Sequence, residues 1–150
     1  MSEQISQQNK TLARRWFEDL WNRVDLDAAE EILSAVFVEH LTHERERGIE
    51  ELKEYVTIYR NAFPDIQNTV EKIVAEGNIV AVLWRSRGTH HGEFMGFGPT
   101  GREVTFTGMR QFRIAENKIA ESWVTMDAQR WQEQLEEQLG TRRLHFHRSS

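Results

Sequence analysis

The chain has 150 residues and a mass of 17.7 kDa, which suffices for one well-buried core and is short for two. Hydrophobic residues at 39% and charged residues at 29% exclude collagen-like and disordered chains, and the absence of cysteine excludes disulfides, thiolate chemistry and Cys-type zinc sites. A net charge of −5 argues against a nucleic-acid partner, and no apolar run of about eighteen residues or basic-then-apolar leader occurs, so a cytoplasmic protein with no membrane partner is expected.

Residues 6–24 read as an amphipathic helix, with Leu12, Ala13, Trp16, Phe17, Leu20, Trp21 and Val24 at three- and four-residue steps. Asp25-Leu26-Asp27 breaks it, and Asp27 can cap a short second helix carrying Ala28, Ile32 and Leu33. Val36 to His40 reads as extended. A third helix runs from Glu46 to Phe63, lined by Ile49, Leu52, Val56, Tyr59 and Phe63 and stopped by Pro64. Period-two runs then take over. Strands are predicted at 66–75, 79–89, 104–115 and 118–126, with turns at Glu76-Gly77-Asn78 and Glu116-Asn117. A glycine-rich connection spans 90–103. Helix returns over 128–139, ending at Gly140, and residues 141–150 form a polar, mobile tail.

Helices first and consecutive strands later make an α+β domain over 1–140. The expected architecture is a curved antiparallel sheet wrapped on three N-terminal helices, a cone-shaped, cystatin-like roll enclosing a small-molecule pocket. The turn at 116–117 sets the hairpin register: Ile114 opposite Ile119, Phe112 opposite Glu121, Arg110 opposite Trp123 and Phe106 opposite Asp127. The more aromatic face is taken as inward, and it also carries Arg110, Glu121 and Asp127. Either Arg110 and Glu121 form an ion pair that staples two strands, or they belong to a polar cluster on a cavity wall. Asp127 either caps the following helix or lies at the cavity mouth as a proton acceptor.

The sequence resembles the SnoaL-like polyketide cyclase family of the nuclear-transport-factor-two-like superfamily. The resemblance rests on WFEDLWNRVDLDAAEEILS (16–34), RGIEELKEYV (47–56), AFPD (62–65), RGTHHGEFMGFGPTGREV (87–104) and FRIAENKIAESWVTMD (112–127). It implies a conical α+β homodimer that closes a ring of an aromatic polyketide ester by intramolecular aldol condensation, without metal or cofactor. It further implies an aspartate acid/base after the Trp of the last strands, helped by a histidine. That aspartate is Asp127 if it lies four residues beyond Trp123; if it lies directly after Trp123, the position holds Val124.

The catalytic candidates are therefore Asp127, Arg110, His90 and His40. Arginine does not exchange protons near neutrality, but it binds an anionic or enolic oxygen. His90 either bonds the loop backbone or faces the pocket. His40 and His43 lack a third ligand, so no metal site is expected. The lining candidates are Trp84, Phe94, Phe106, Trp123, Glu121, Tyr59 and Phe17. Phe94, Met95 and Phe97 either fold over a ligand as a lid or fill core or a dimer interface. Gly92, Gly96, Gly98 and Gly101 match no phosphate-binding spacing. Three functions fit: a cofactor-free cyclase, isomerase or hydratase acting on a hydrophobic small molecule, a non-catalytic binding or accessory protein with the same fold, and a purely structural dimer whose pocket is closed by aromatic side chains.

Overall fold

The computed structural model describes residues 2–41, 45–94 and 96–126. Asp127, His43, Met95, the predicted helix at 128–139 and the tail lie outside the described residues. The apolar stripes and alternations become α1 (Ser2–Arg15), a π-helical segment (Trp16–Asn22), α2 (Asp27–Ile32), β1 (Leu33–His40), β2 (Glu46–Arg47), α3 (Ile49–Ala62), β3 (Gln67–Glu76), β4 (Ile79–Thr89), β5 (Glu103–Ala115) and β6 (Lys118–Met126). The helices pack on one curved, unclosed sheet of strand order β2-β1-β6-β5-β4-β3. The α+β class is as expected.

Three local readings change. The first helix does not stay α-helical: from Trp16 it widens to i→i+5 bonding. That pitch brings residues four and five apart onto one side, so Trp16, Phe17, Leu20 and Trp21 all turn inward. Arg15 braces the transition by bonding Asp19 at 2.8 Å and Glu31 at 2.6 Å. The segment ends on β3, where the Asn22 amide accepts from Asn68 N–H at 2.8 Å and donates to Asn68 C=O at 2.9 Å. Second, Glu46 and Arg47 form a short strand, and α3 begins only at Ile49, where Glu51 bonds the Gly48 N–H at 3.0 Å.

Third, the sheet is mixed. β3 to β6 are antiparallel, joined by tight turns at 77–78 and 116–117 and by the long 90–102 connection; β1 pairs antiparallel with the short β2 on one side and on the other lies beside β6, to which no turn joins it and to which it runs parallel. In that ladder Glu39 neighbours Ser122 and His40 neighbours Trp123. Side chains alternate along β1, so Glu39 goes inward with Phe37 while His40 goes outward.

The 116–117 turn forms as predicted, with Glu116 and Asn117 both at positive φ, and Ile114 faces Ile119. A bulge then leaves Ala120 unpaired. Beyond it Arg113 faces Glu121, Phe112 faces Ser122, Gln111 faces Trp123 and Arg110 faces Val124. The one-residue shift exchanges the faces of β6. Ser122, Val124 and Met126 therefore join the inward face with Arg110 and Phe112, whereas Glu121, Trp123 and Thr125 lie on the outer face, opposite to the expectation.

The core fills the space between the inner sheet face and the helices. Trp16 packs edge-on against Phe112 at 5.2 Å, and Phe17 lies 5.7 Å from Trp84. The Trp84 ring lies over Gly108 on β5, where any Cβ would come within 2.8 Å of Cζ2 and Cζ3. Gly108→Ala must therefore displace the indole. The expected cost is about 1–3 kcal/mol in a urea melt, and a melt within error of wild type would show that the indole is free to move.

Candidate functional site

A cavity of about 260 Å³ opens between the π-helical segment, α3 and the inner sheet face. Its apolar wall holds Trp16, Phe17, Trp21, Tyr55, Tyr59, Ile66, Trp84, Phe106, Val124 and Met126; Glu39, Arg45, Arg47, Asn68, Ser86 and Arg110 add polar groups. Four of the predicted lining residues (Phe17, Tyr59, Trp84 and Phe106) are thus on the wall, as is Arg110.

Arg110 is 8% exposed and Glu39 1%. The Arg110 guanidinium donates to Glu39 Oε2 and, at 2.8 Å, to Ser122 Oγ. Its Cζ lies 4.6 Å from the Trp16 ring centre and 5.5 Å from that of Trp84, so the cation is also held by aromatic faces. Glu39 Oε1 lies 3.4 Å from Arg47 Nε. Both carboxylate oxygens are therefore engaged by guanidiniums. Arg47 in turn stacks on Tyr55 at 3.8 Å, and Tyr55 donates to the Tyr59 hydroxyl at 3.1 Å. Burial first, and the neighbouring Tyr55 second, raise Tyr59 well above its ordinary value, so it stays a neutral phenol.

Glu39 is the residue the sequence reading missed. Its signal was the alternation in Phe37-Val38-Glu39-His40, which sends Phe37 and Glu39 one way and His40 the other. The predicted Arg110–Glu121 pair is replaced by Arg110–Glu39. Glu121 instead takes Arg113 at 2.6 Å and His40 at 2.7 Å on the outer face. Arg113 first, and then His40, hold its carboxyl below the ordinary range. His40 stacks on Trp123 at 5.1 Å and also lies 3.3 Å from Glu46. His40, Trp123 and Glu121 thus meet each other, away from the cavity.

His90 is fully buried at the loop base behind Phe63, its Nδ1 accepting from the Thr100 N–H at 3.3 Å. It does not line the cavity. Phe94 packs against Tyr59 and Phe63, and its backbone pairs with Phe97 through two bonds of 2.9 Å. It therefore backs the cavity wall as core and does not fold over the opening. Among the described residues no group of three His, Asp or Glu side chains is placed to hold a metal.

The family description SnoaL-like polyketide cyclase matches residues 11–135. The chain belongs to this family. Among solved structures it is similar to AclR, a candidate hydroxylase from Streptomyces galilaeus, at 29% identity and TM-score 0.78 over 86% of this chain and 81% of that one. It is also similar to IdmH, a candidate polyketide cyclase from Streptomyces antibioticus, at 29% identity and TM-score 0.75 over 88% and 98% of the two chains. A SnoaL-like candidate polyketide cyclase from a Jannaschia species matches at 25% identity and TM-score 0.80 over 87% and 93%. No curated protein matches this chain. The SnoaL-like members thus share the cone of helices on a curved sheet seen here.

Two outcomes follow from the buried groups. Glu39→Gln removes the carboxylate and strands Arg110 in the core, an expected loss of about 3–5 kcal/mol; adding Arg110→Met to it should recover part of that loss in a double-mutant cycle. Burial pushes His90 below its ordinary value of 6.5. The folded chain then holds it neutral while the unfolded chain takes up a proton, so its contribution is complete above pH 6.5 and declines as pH falls toward the folded value. Melting curves of His90→Asn should fall less steeply than wild type over that window; parallel curves would refute the assignment.

Proposed function

We propose that this chain takes up a flat, hydrophobic small molecule and closes a ring in it by a cofactor-independent, proton-transfer aldol reaction of the polyketide cyclase type. The observation that carries the reading is Arg110, fixed by Glu39 and Ser122 between two indoles on the wall of an aromatic cavity. A carboxylate removes a proton from a carbon beside a carbonyl, and the electron pair moves onto that carbonyl oxygen as an enolate. Arg110 binds the enolate oxygen. The enolate carbon attacks a second carbonyl carbon of the same molecule, forming the C–C bond, and the new alkoxide recovers the proton.

In this reading Asp127 is the base. β6 delivers Val124 and Met126 to the cavity wall, and Asp127 is the next residue in the chain. Glu39, with both oxygens engaged, positions Arg110 and is not the proton acceptor. His40 and His90 receive no step, since neither lines the cavity.

A second reading is favoured by Val124. It faces Arg110 across the hairpin and lines the cavity, at the position directly after Trp123. If the family's aspartate belongs there, the pocket binds without turning over. The two readings separate in one assay, using an aromatic diketo ester with an enolisable methylene, followed by calorimetry for binding and by product formation for turnover. Asp127→Asn should lower kcat by about a hundredfold or more while leaving affinity within about twofold. Wild-type binding with no turnover establishes the second reading. Turnover unchanged in Asp127→Asn removes Asp127 as the base.

A further inference from the structure

The charged and the uncharged polar groups of the cavity wall come from different strands. Glu39 and Arg110 enter from β1 and β5, and Arg45 and Arg47 from the chain at β2. Toward β3 the wall carries Ile66, Asn68, Ser86 and Phe106, none of them ionisable. Ser86 on β4 lies between Asn68 on β3 and Phe106 on β5. Arg110 faces Val82, four residues earlier on the same side of β4, so about 13 Å of strand separates the two polar points. The Trp84 indole is on the wall between them. Trp21 joins the uncharged end from the π-helical segment: the next residue, Asn22, accepts from the Asn68 Nδ2 at 3.1 Å. Ser86 is wholly buried, and neither its Oγ nor the buried Trp21 Nε1 has a hydrogen-bond partner among the described residues.

A buried hydroxyl or indole N–H without an acceptor is costly, and native interiors rarely leave one. An oxygen on a ligand relieves that cost, and no ionic side chain stands at this end to favour a charged one. We propose that Ser86 and Trp21 form a subsite for an uncharged ring oxygen, hydroxyl or carbonyl, at the end of the ligand remote from Arg110. The cavity then selects a flat ring system oxygenated at both ends and lying along Trp84. The Ser86 contact decides which end meets Arg110, so Ser86 is a positioning residue that touches no reacting atom. The inference rests on the reading of the cavity as a small-molecule site and adds a second point of attachment to it.

The test uses the full chain and two probes of one shape, 2-naphthol and 2,6-naphthalenediol, titrated by calorimetry at neutral pH. The diol should bind about fivefold more tightly, as one uncharged hydrogen bond provides. Ser86→Ala should remove most of that gap by weakening the diol, while 2-naphthol, whose single hydroxyl still has the Arg110 end, changes by less than about twofold. Trp21→Phe keeps the ring, removes the Nε1–H and should narrow the same gap. The ligand-free Ser86→Ala chain should melt no lower than wild type, because the deleted hydroxyl had no partner; a lower melt overturns the subsite by showing that the hydroxyl is already bonded. Two probes that bind wild type equally, or a gap that survives in either variant, overturn the subsite and leave the small-molecule reading standing. Failure of both probes to bind overturns the two together.

Discussion

The buried pair between Glu39 and Arg110 ties the sheet to the site. Glu39 enters from β1, which runs parallel to β6 with no turn joining the two, and Arg110 from β5; Ser122, on the β6 strand between them, accepts from the same guanidinium. Three strands are thus linked through one inward-facing cluster. Taking two charges out of water costs several kcal/mol per ion, so the pair is weak evidence for stability in itself. What it does is specify register: a one-residue slip of β1 on β6 would place His40 inward and leave Arg110 without its anion.

The same guanidinium couples the sheet to the helical layer. It lies near Trp16 on the π-helical segment and Trp84 on β4, so the wide turn and the sheet meet at a cation. An ordinary α-helical pitch would not gather Trp16, Phe17, Leu20 and Trp21 on one side as closely. Such π-type turns are rare and occur frequently at functional sites. Here the return is visible: Trp16, Phe17 and Trp21 from one short segment form a continuous part of the cavity wall, against Tyr55, Tyr59 and Trp84.

The strands were legible because alternation and turn chemistry are local. β4 and β6 begin and end where the pattern placed them, and Glu116-Asn117 makes its turn. The faces of β6 were not legible, because a bulge at Ala120 leaves no mark in composition yet reverses every side chain after it. Phe106 and Arg110 stood on the predicted inward face of the hairpin, whereas Phe17, Tyr59 and Trp84, read chiefly as core, line the cavity as well. Glu39 was missed because a carboxylate beside a histidine drew attention to the histidine. Its burial depends on a parallel strand pairing, a long-range contact that no short pattern encodes. Arg45 and Arg47 were missed for a related reason: Arg45 precedes, and Arg47 belongs to, a two-residue strand that reads as the start of a helix.

The bulge also constrains the chemistry. Without it, β6 would present Glu121 and Trp123 to the cavity, with a carboxylate close to Arg110. With it, the strand presents Ser122, Val124 and Met126, and the carboxylate is spent outside on Arg113 and His40. The described wall then holds a cation and buried donors but no carboxylate with a free oxygen, since Glu39 is engaged on both sides. Such a wall stabilises an oxyanion well and abstracts a proton poorly. In the cyclase reading proposed above, proton abstraction therefore falls to a carboxylate outside the described wall. In that reading Arg110 holds negative charge that it does not generate, and the division between catalyst and binder depends on a carboxylate that this wall does not supply.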